Sequence, residues 1–291
     1  MKKTLYTLFA LLLTASLISW QWEKTQHPTI DKEEVIECLN METQQAYQLE
    51  ASQAKFANMH IAPMKVNPAD LLGTIVPFNA ADGKPGQAYF IPAKKKSDKW
   101  LIVIQEWWGL NDNIKMEADQ YFKDLGDVNV MAVDMYDGKV AATPDSAMKL
   151  MRGADMNRMV ALIQGAVKHA GPKASIYSVG WCFGGMWSLQ TAIIAGPQAK
   201  GSVMYYGRPE ANMEKLKSIQ CDIIGFFGNL DQSPSPAMVN TFEANMKLAG
   251  KNLTAYKYEA GHGFANPSNP SYNAAAKTDS YSKAIAFLKA H

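Results

Sequence analysis

Apolar runs of strand length alternate with helical stretches from Trp100 to the C-terminus, and this rhythm constrains the fold more than any other feature of the chain. "WLIVIQ" precedes a helical stretch over 114–125, and "VNVMAVD" precedes a long one ending near His169. The second half repeats the scheme with "ASIYSVG", "GGMWSLQTAIIA", "GSVMYYG", "CDIIGFFG", a helix over 236–248, "LTAYKYEA" and a closing helix. Continuous apolar strands separated by helices predict an α/β domain, a mainly parallel sheet with helices on both faces. Ile114, Ala118, Tyr121, Phe122 and Leu125 recur at helical spacing, as one face packed on a sheet requires. Upstream, two apolar runs around Asp82-Gly83 predict a β-hairpin that opens the domain. In such sheets the chemistry gathers in loops leaving the carboxyl ends of strands.

Lys2 and Lys3 precede an apolar stretch over 5–18, the layout of a secretory signal. Residues 1–22 are therefore expected to form a signal peptide, with an uncleaved N-terminal anchor as the alternative. The protein is expected to be exported, periplasmic or secreted, and to touch a membrane only if that segment stays attached. Residues 23–68 carry a helical extension and a linker marked by Pro63 and Pro68, and 69–291 form the main domain. The net charge of +2, with no basic stripe, gives no footprint for nucleic acid. Oligomeric state is not readable. The three cysteines, Cys38, Cys182 and Cys221, admit at most one bridge. A Cys38–Cys221 disulfide and two free thiols are both open.

"GWCFGG" puts Cys182 in the turn between a strand and a helix, the layout of a nucleophile elbow, G-x-nucleophile-x-G. So tight a turn demands positive φ at the nucleophile, and a Cβ at Gly180 or Gly184 would strike adjoining backbone. The thiol should then stand clear at the sheet edge, over a helix N-terminus that favours thiolate. A thiol nucleophile needs a base, and "YEAGHGFANP" supplies His262 in the loop after the last strand. The base needs an acid to fix its tautomer, and Asp231 in "GNLDQSPSP" follows the preceding strand. The chain order is nucleophile, acid, base. Backbone N–H groups of Phe183 and of Trp107 are the candidate oxyanion donors. Glu106, at the tip of "WLIVIQE", either meets solvent or holds the thiol's proton.

Taken together, "QEWWGLN", "DMYDG", "GWCFGG", "GNLDQSPSP" and "AGHGFANP" resemble the dienelactone hydrolase family over residues 73–291. The resemblance implies an α/β-hydrolase fold and a Cys182–Asp231–His262 triad, with Glu106 paired to the thiol until substrate displaces it. It implies acyl-thioester hydrolysis of a lactone or small ester, with neither cofactor nor metal. It also implies a substrate pocket drawn from Trp108, Tyr136, Lys139, Tyr205, Tyr206, Phe264 and Asn266. One departure stands out: the family's arginines for a substrate carboxylate are missing, leaving Lys139 in one neighbourhood and Asn266 in the other. Losing a charge-assisted hydrogen bond costs about 1.5–3 kcal/mol, so dienelactone itself is a doubtful substrate. A non-catalytic reading keeps the fold and makes the pocket a binding site for a small ligand or an envelope partner. A redox thiol is a third, and it lacks a resolving cysteine in the motif.

Overall fold

The computed structural model describes residues 70–291. The expected signal segment, the helical extension and Cys38 lie outside the described residues. Eight strands form one sheet: β1 (Thr74–Asn79), β2 (Pro85–Ile91), β3 (Lys99–Ile104), β4 (Asn129–Val133), β5 (Ser175–Trp181), β6 (Ala199–Tyr205), β7 (Asp222–Gly228) and β8 (Leu253–Tyr258). Their spatial order is β1-β2-β4-β3-β5-β6-β7-β8. β1 and β2 form the expected hairpin, β2 runs antiparallel to β4, and the remaining pairs are parallel. Between the strands lie α1 (Asp112–Leu125), α2 (Pro144–Arg152), α3 (Met156–Ala170), α4 (Phe183–Ala195), α5 (Met213–Ser218) and α6 (Pro236–Leu248), and α7 (Ala274–Ala290) follows β8. This is the α/β-hydrolase architecture.

The long helical stretch before His169 divides in two at Gly153. Thr143 and Ser146 form a capping box at the start of α2, and Asp155 caps α3 by accepting from the backbone N–H groups of Asn157 and Arg158. Side-chain caps of this kind satisfy amide donors that the helix leaves unpaired. The face predicted for α1 is buried at Ile114, Ala118, Tyr121 and Phe122, and it also buries Asp119. That carboxylate is satisfied by the Tyr89 hydroxyl at 2.6 Å and the Leu72 N–H at 3.0 Å, tying the hairpin to α1. Arg158 fastens the hairpin's other end, forking between Asp82 at 2.9 Å and Asp137 at 2.6 Å.

Strand β3 lies between β4 and β5, so the chain leaves it in one direction and returns on its other side. That reversal opens a crevice at the carboxyl ends of β3 and β5. Helix α4 enters the protein interior directly from β5 and is buried along most of its length. Its Ser188 hydroxyl is satisfied by Ser178 at 3.0 Å and Ser202 at 2.9 Å, so a polar residue under the sheet costs little.

Candidate active site

Cys182 occupies the turn from β5 into α4 with φ 56° and ψ −117°. Positive φ is unfavourable for a residue with a side chain and persists where the surroundings over-determine it. Three glycines do so. A Cβ on Gly180 would lie 2.1 Å from the Gly184 carbonyl oxygen. One on Gly184 would lie 2.3 Å from the Ile104 carbonyl oxygen, and one on Gly185 would lie 2.6 Å from that of Tyr205. The turn is wedged between the ends of β3 and β6, and only bare backbone fits.

His262 comes from the loop after β8. Gly228, at the end of β7, approaches so closely that a Cβ there would sit 2.3 Å from the Ala260 carbonyl oxygen. The Leu230 N–H donates to that same oxygen at 3.1 Å. These contacts hold the Asp231 and His262 loops side by side. One Asp231 carboxylate oxygen meets His262 Nδ1 at 2.8 Å, and the other accepts the Ser233 N–H at 2.8 Å. Burial pushes the His262 pKa down, yet the Asp231 carboxylate and the charge and hydrogen bond of Cys182 outweigh it and hold the imidazole well above its ordinary value. That direction favours the protonated imidazole.

Glu106 follows β3 and is also buried. Burial pushes its carboxyl up to about 7, although the nearby His262 charge and a hydrogen bond from Asn266 Nδ2 at 2.9 Å pull it down. The preceding Gln105 side chain accepts the Met135 N–H at 3.3 Å, locking the ends of β3 and β4 together under the site.

A carboxyl whose folded pKa exceeds its unfolded value holds its proton longer folded than unfolded. Glu106 therefore costs nothing at pH values below 4.5 and destabilises the fold progressively as pH rises through about 7. The full cost is about 3 kcal/mol. Glu106→Gln is expected to raise stability at pH 8 by about that amount and to leave it unchanged at pH 4, measured by urea unfolding across pH.

The structure departs from the sequence expectations at several places. The thiol does not stand clear of the surface: Cys182 is 1% exposed and His262 2%. Tyr136 packs on Phe183, Trp107 on Trp108 and Tyr206 on His262, which roofs the triad with aromatic rings. Among the expected pocket residues, Tyr206 and Asn266 join Glu106 in lining a cavity of about 500 Å³. Phe264 supports Tyr206 from behind. Tyr205 is instead a core residue, stacked on Trp181 and tilted against Phe226. The reason is that β6 ends at Tyr205 and the chain turns at Tyr206 with φ 36°, which carries the second ring off the strand and onto His262. Lys139 is exposed on a turn whose carbonyl oxygen presses against Gly109, so its side chain remains outside. Trp181, Asn113, Glu117 and Lys277 line the cavity without having been singled out by the sequence. Cys221 carries a free thiol, and burial pushes it up to about 12.

A nucleophile elbow on β5, with an acid after β7 and a histidine after β8, defines an α/β-hydrolase. The profile of the dienelactone hydrolase family matches residues 87–291, and the chain belongs to that family. Protein usf of Aquifex pyrophilus is 28% identical over 214 residues, covering 69% of this chain and 91% of its own. Carboxymethylenebutenolidase 1 of Cupriavidus pinatubonensis is 24% identical over 202 residues, covering 65% of this chain and 84% of its own. The fold also matches the crystal structure of a dienelactone hydrolase-like promiscuous phosphotriesterase from metagenomic libraries, with a TM-score of 0.64. That match is 22% identical and covers 75% of this chain and 98% of the other. Hydrolysis of esters and lactones is the chemistry of the family to which the site belongs.

Proposed function

We propose that this protein hydrolyses small carboxylic esters or lactones through a thioester on Cys182, without a cofactor. The observation that carries the reading is the buried His262, bonded to Asp231 through Nδ1 at 2.8 Å and near enough to Cys182 for the sulfur to raise its pKa. Asp231 fixes the tautomer and supports the positive imidazolium. The thiolate attacks the carbonyl carbon, and the Phe183 and Trp107 N–H groups hold the oxygen that becomes negative. The carbon–oxygen bond to the alcohol breaks, and the alcohol leaves with the proton that His262 took from the thiol. Water, deprotonated by His262, then cleaves the thioester, releasing the acid and restoring the thiol. Glu106 is a buried carboxyl beside the triad that holds or relays a proton when substrate enters. With Asn266 in one arginine neighbourhood and Lys139 exposed in the other, an uncharged substrate suits this site better than a carboxylate. The basic and apolar N-terminal segment supports a reaction in the periplasm or outside the cell.

The test is to trap the intermediate. Acid quench during turnover of a slow ester is expected to give protein heavier by the acyl group, with hydroxylamine removing the mass and peptide mapping putting it on Cys182. Turnover with no adduct at Cys182, under conditions where deacylation is rate-limiting, overturns the thioester route.

A further inference from the structure

The cavity beside Glu106 runs between α1 and α7 and is larger than a small lactone ring needs. Its lining is mainly apolar, and its charged groups are largely matched. Lys277 Nζ meets the Glu117 carboxylate at 2.6 Å, so the cavity's cation is already matched. The Tyr281 hydroxyl is likewise committed, to Asp124 at 2.8 Å. Two lining residues differ. The Asn113 side-chain amide nitrogen and the Tyr206 hydroxyl are both buried and have no hydrogen-bond partner among the described residues. Leaving a buried donor unmade is costly, so such groups signal a partner that arrives with a ligand. Trp181 and Ile114 add apolar wall between them.

We propose that the α1–α7 cleft is a specificity subsite for an extended, uncharged part of the ester that carries an oxygen acceptor, a ketone or ether, with Asn113 as the donor that recognises it. This rests on the ester-hydrolase reading. With Glu117 paired to it, Lys277 attracts a carboxylate only if Glu117 is removed. The acceptor reaches the cleft from either the acyl or the alcohol side of the ester.

Two matched pairs test it: p-nitrophenyl 4-oxopentanoate against p-nitrophenyl pentanoate for the acyl side, and 2-methoxyethyl acetate against butyl acetate for the alcohol side. The oxygen-bearing member of at least one pair is expected to show kcat/KM about fivefold higher, from the gain of one neutral hydrogen bond. Asn113→Leu should bring the two members of that pair to equal kcat/KM, with its unfolding midpoint reporting that the variant is folded. Glu117→Gln should raise kcat/KM for p-nitrophenyl hemisuccinate about tenfold by freeing Lys277. Absence of a preference in both pairs, or a preference that survives Asn113→Leu, overturns the subsite. If Asn113→Leu loses the reference activity as well, Glu117→Gln decides alone, and an unchanged hemisuccinate rate overturns it. A Cys182→Ala protein as active as the wild type would instead sink the hydrolase reading beneath it, so the two failures are distinct.

Discussion

Cys182→Ala is expected to lower kcat/KM for every substrate by about 10⁴-fold or more, while the unfolding midpoint stays close to that of the wild type. That loss is about 5.5 kcal/mol of transition-state stabilisation. It is large because on the proposed thioester route the sulfur bonds to the substrate, and the remaining binding and oxyanion contacts accelerate attack by water only weakly. The fold should tolerate the change. Alanine keeps the Cβ that the turn already accommodates at φ 56°, and the deletion removes a single sulfur atom. Cys182→Ser makes the experiment sharper. The hydroxyl has nearly the same size but does not ionise beside imidazole at neutral pH, so the thiolate nucleophile that the proposed route uses is lost. Its activity should fall between those of Ala and the wild type and should not accumulate a hydroxylamine-sensitive thioester. An alanine variant that turns over the same esters within tenfold of the wild-type rate would remove Cys182 from the chemistry.

Much of this arrangement is legible in the sequence because local rules decide it. Strand and helix alternate in a period that side-chain pattern reveals, and the glycines around Cys182 announce a turn with no room for a Cβ. His262 and Asp231 become readable through their positions after successive strands, since parallel topology brings consecutive carboxyl ends to one edge. What remained hidden depends on contacts between distant segments. The closure over the thiol comes from Tyr136, Phe183, Trp107, Trp108 and Tyr206, which lie on four separate loops or element ends. Tyr205 and Tyr206 are adjacent in sequence, and only the exact end of β6 separates core from site. The cleft between α1 and α7 brings Glu117 to Lys277 across 160 residues, a pairing for which sequence spacing carries no signal. In the sequence Asn266 stands only as a missing arginine; that its amide donates to Glu106 emerges once both loops are in place.

Gly184→Ala is expected to damage stability and catalysis together, because the same contact serves both. The new Cβ would fall 2.3 Å from the Ile104 carbonyl oxygen and 2.4 Å from that of Gln105, both backbone atoms at the end of β3. Backbone cannot rotate away as a long side chain can, so α4 must shift from β3 by a substantial part of an ångström. Overpacking of that kind costs about 3 kcal/mol, a fall of roughly 10 °C in the unfolding midpoint for a domain of this size. The shift also moves Cys182 and the Phe183 N–H relative to the Trp107 N–H, which belongs to the loop on the other side of the clash. A misplacement near 1 Å between reacting groups costs about a hundredfold in rate. Gly83→Ala separates the two effects. Gly83 has φ +80° with nothing within 4 Å of the added Cβ, so it bears the positive-φ strain without a clash. It should lose about 1 kcal/mol and no activity. Measuring kcat below the midpoint of each variant distinguishes a displaced elbow from simple unfolding, and a Gly184→Ala enzyme with wild-type kcat would mean that the elbow and the β3 loop are not held in register by this contact.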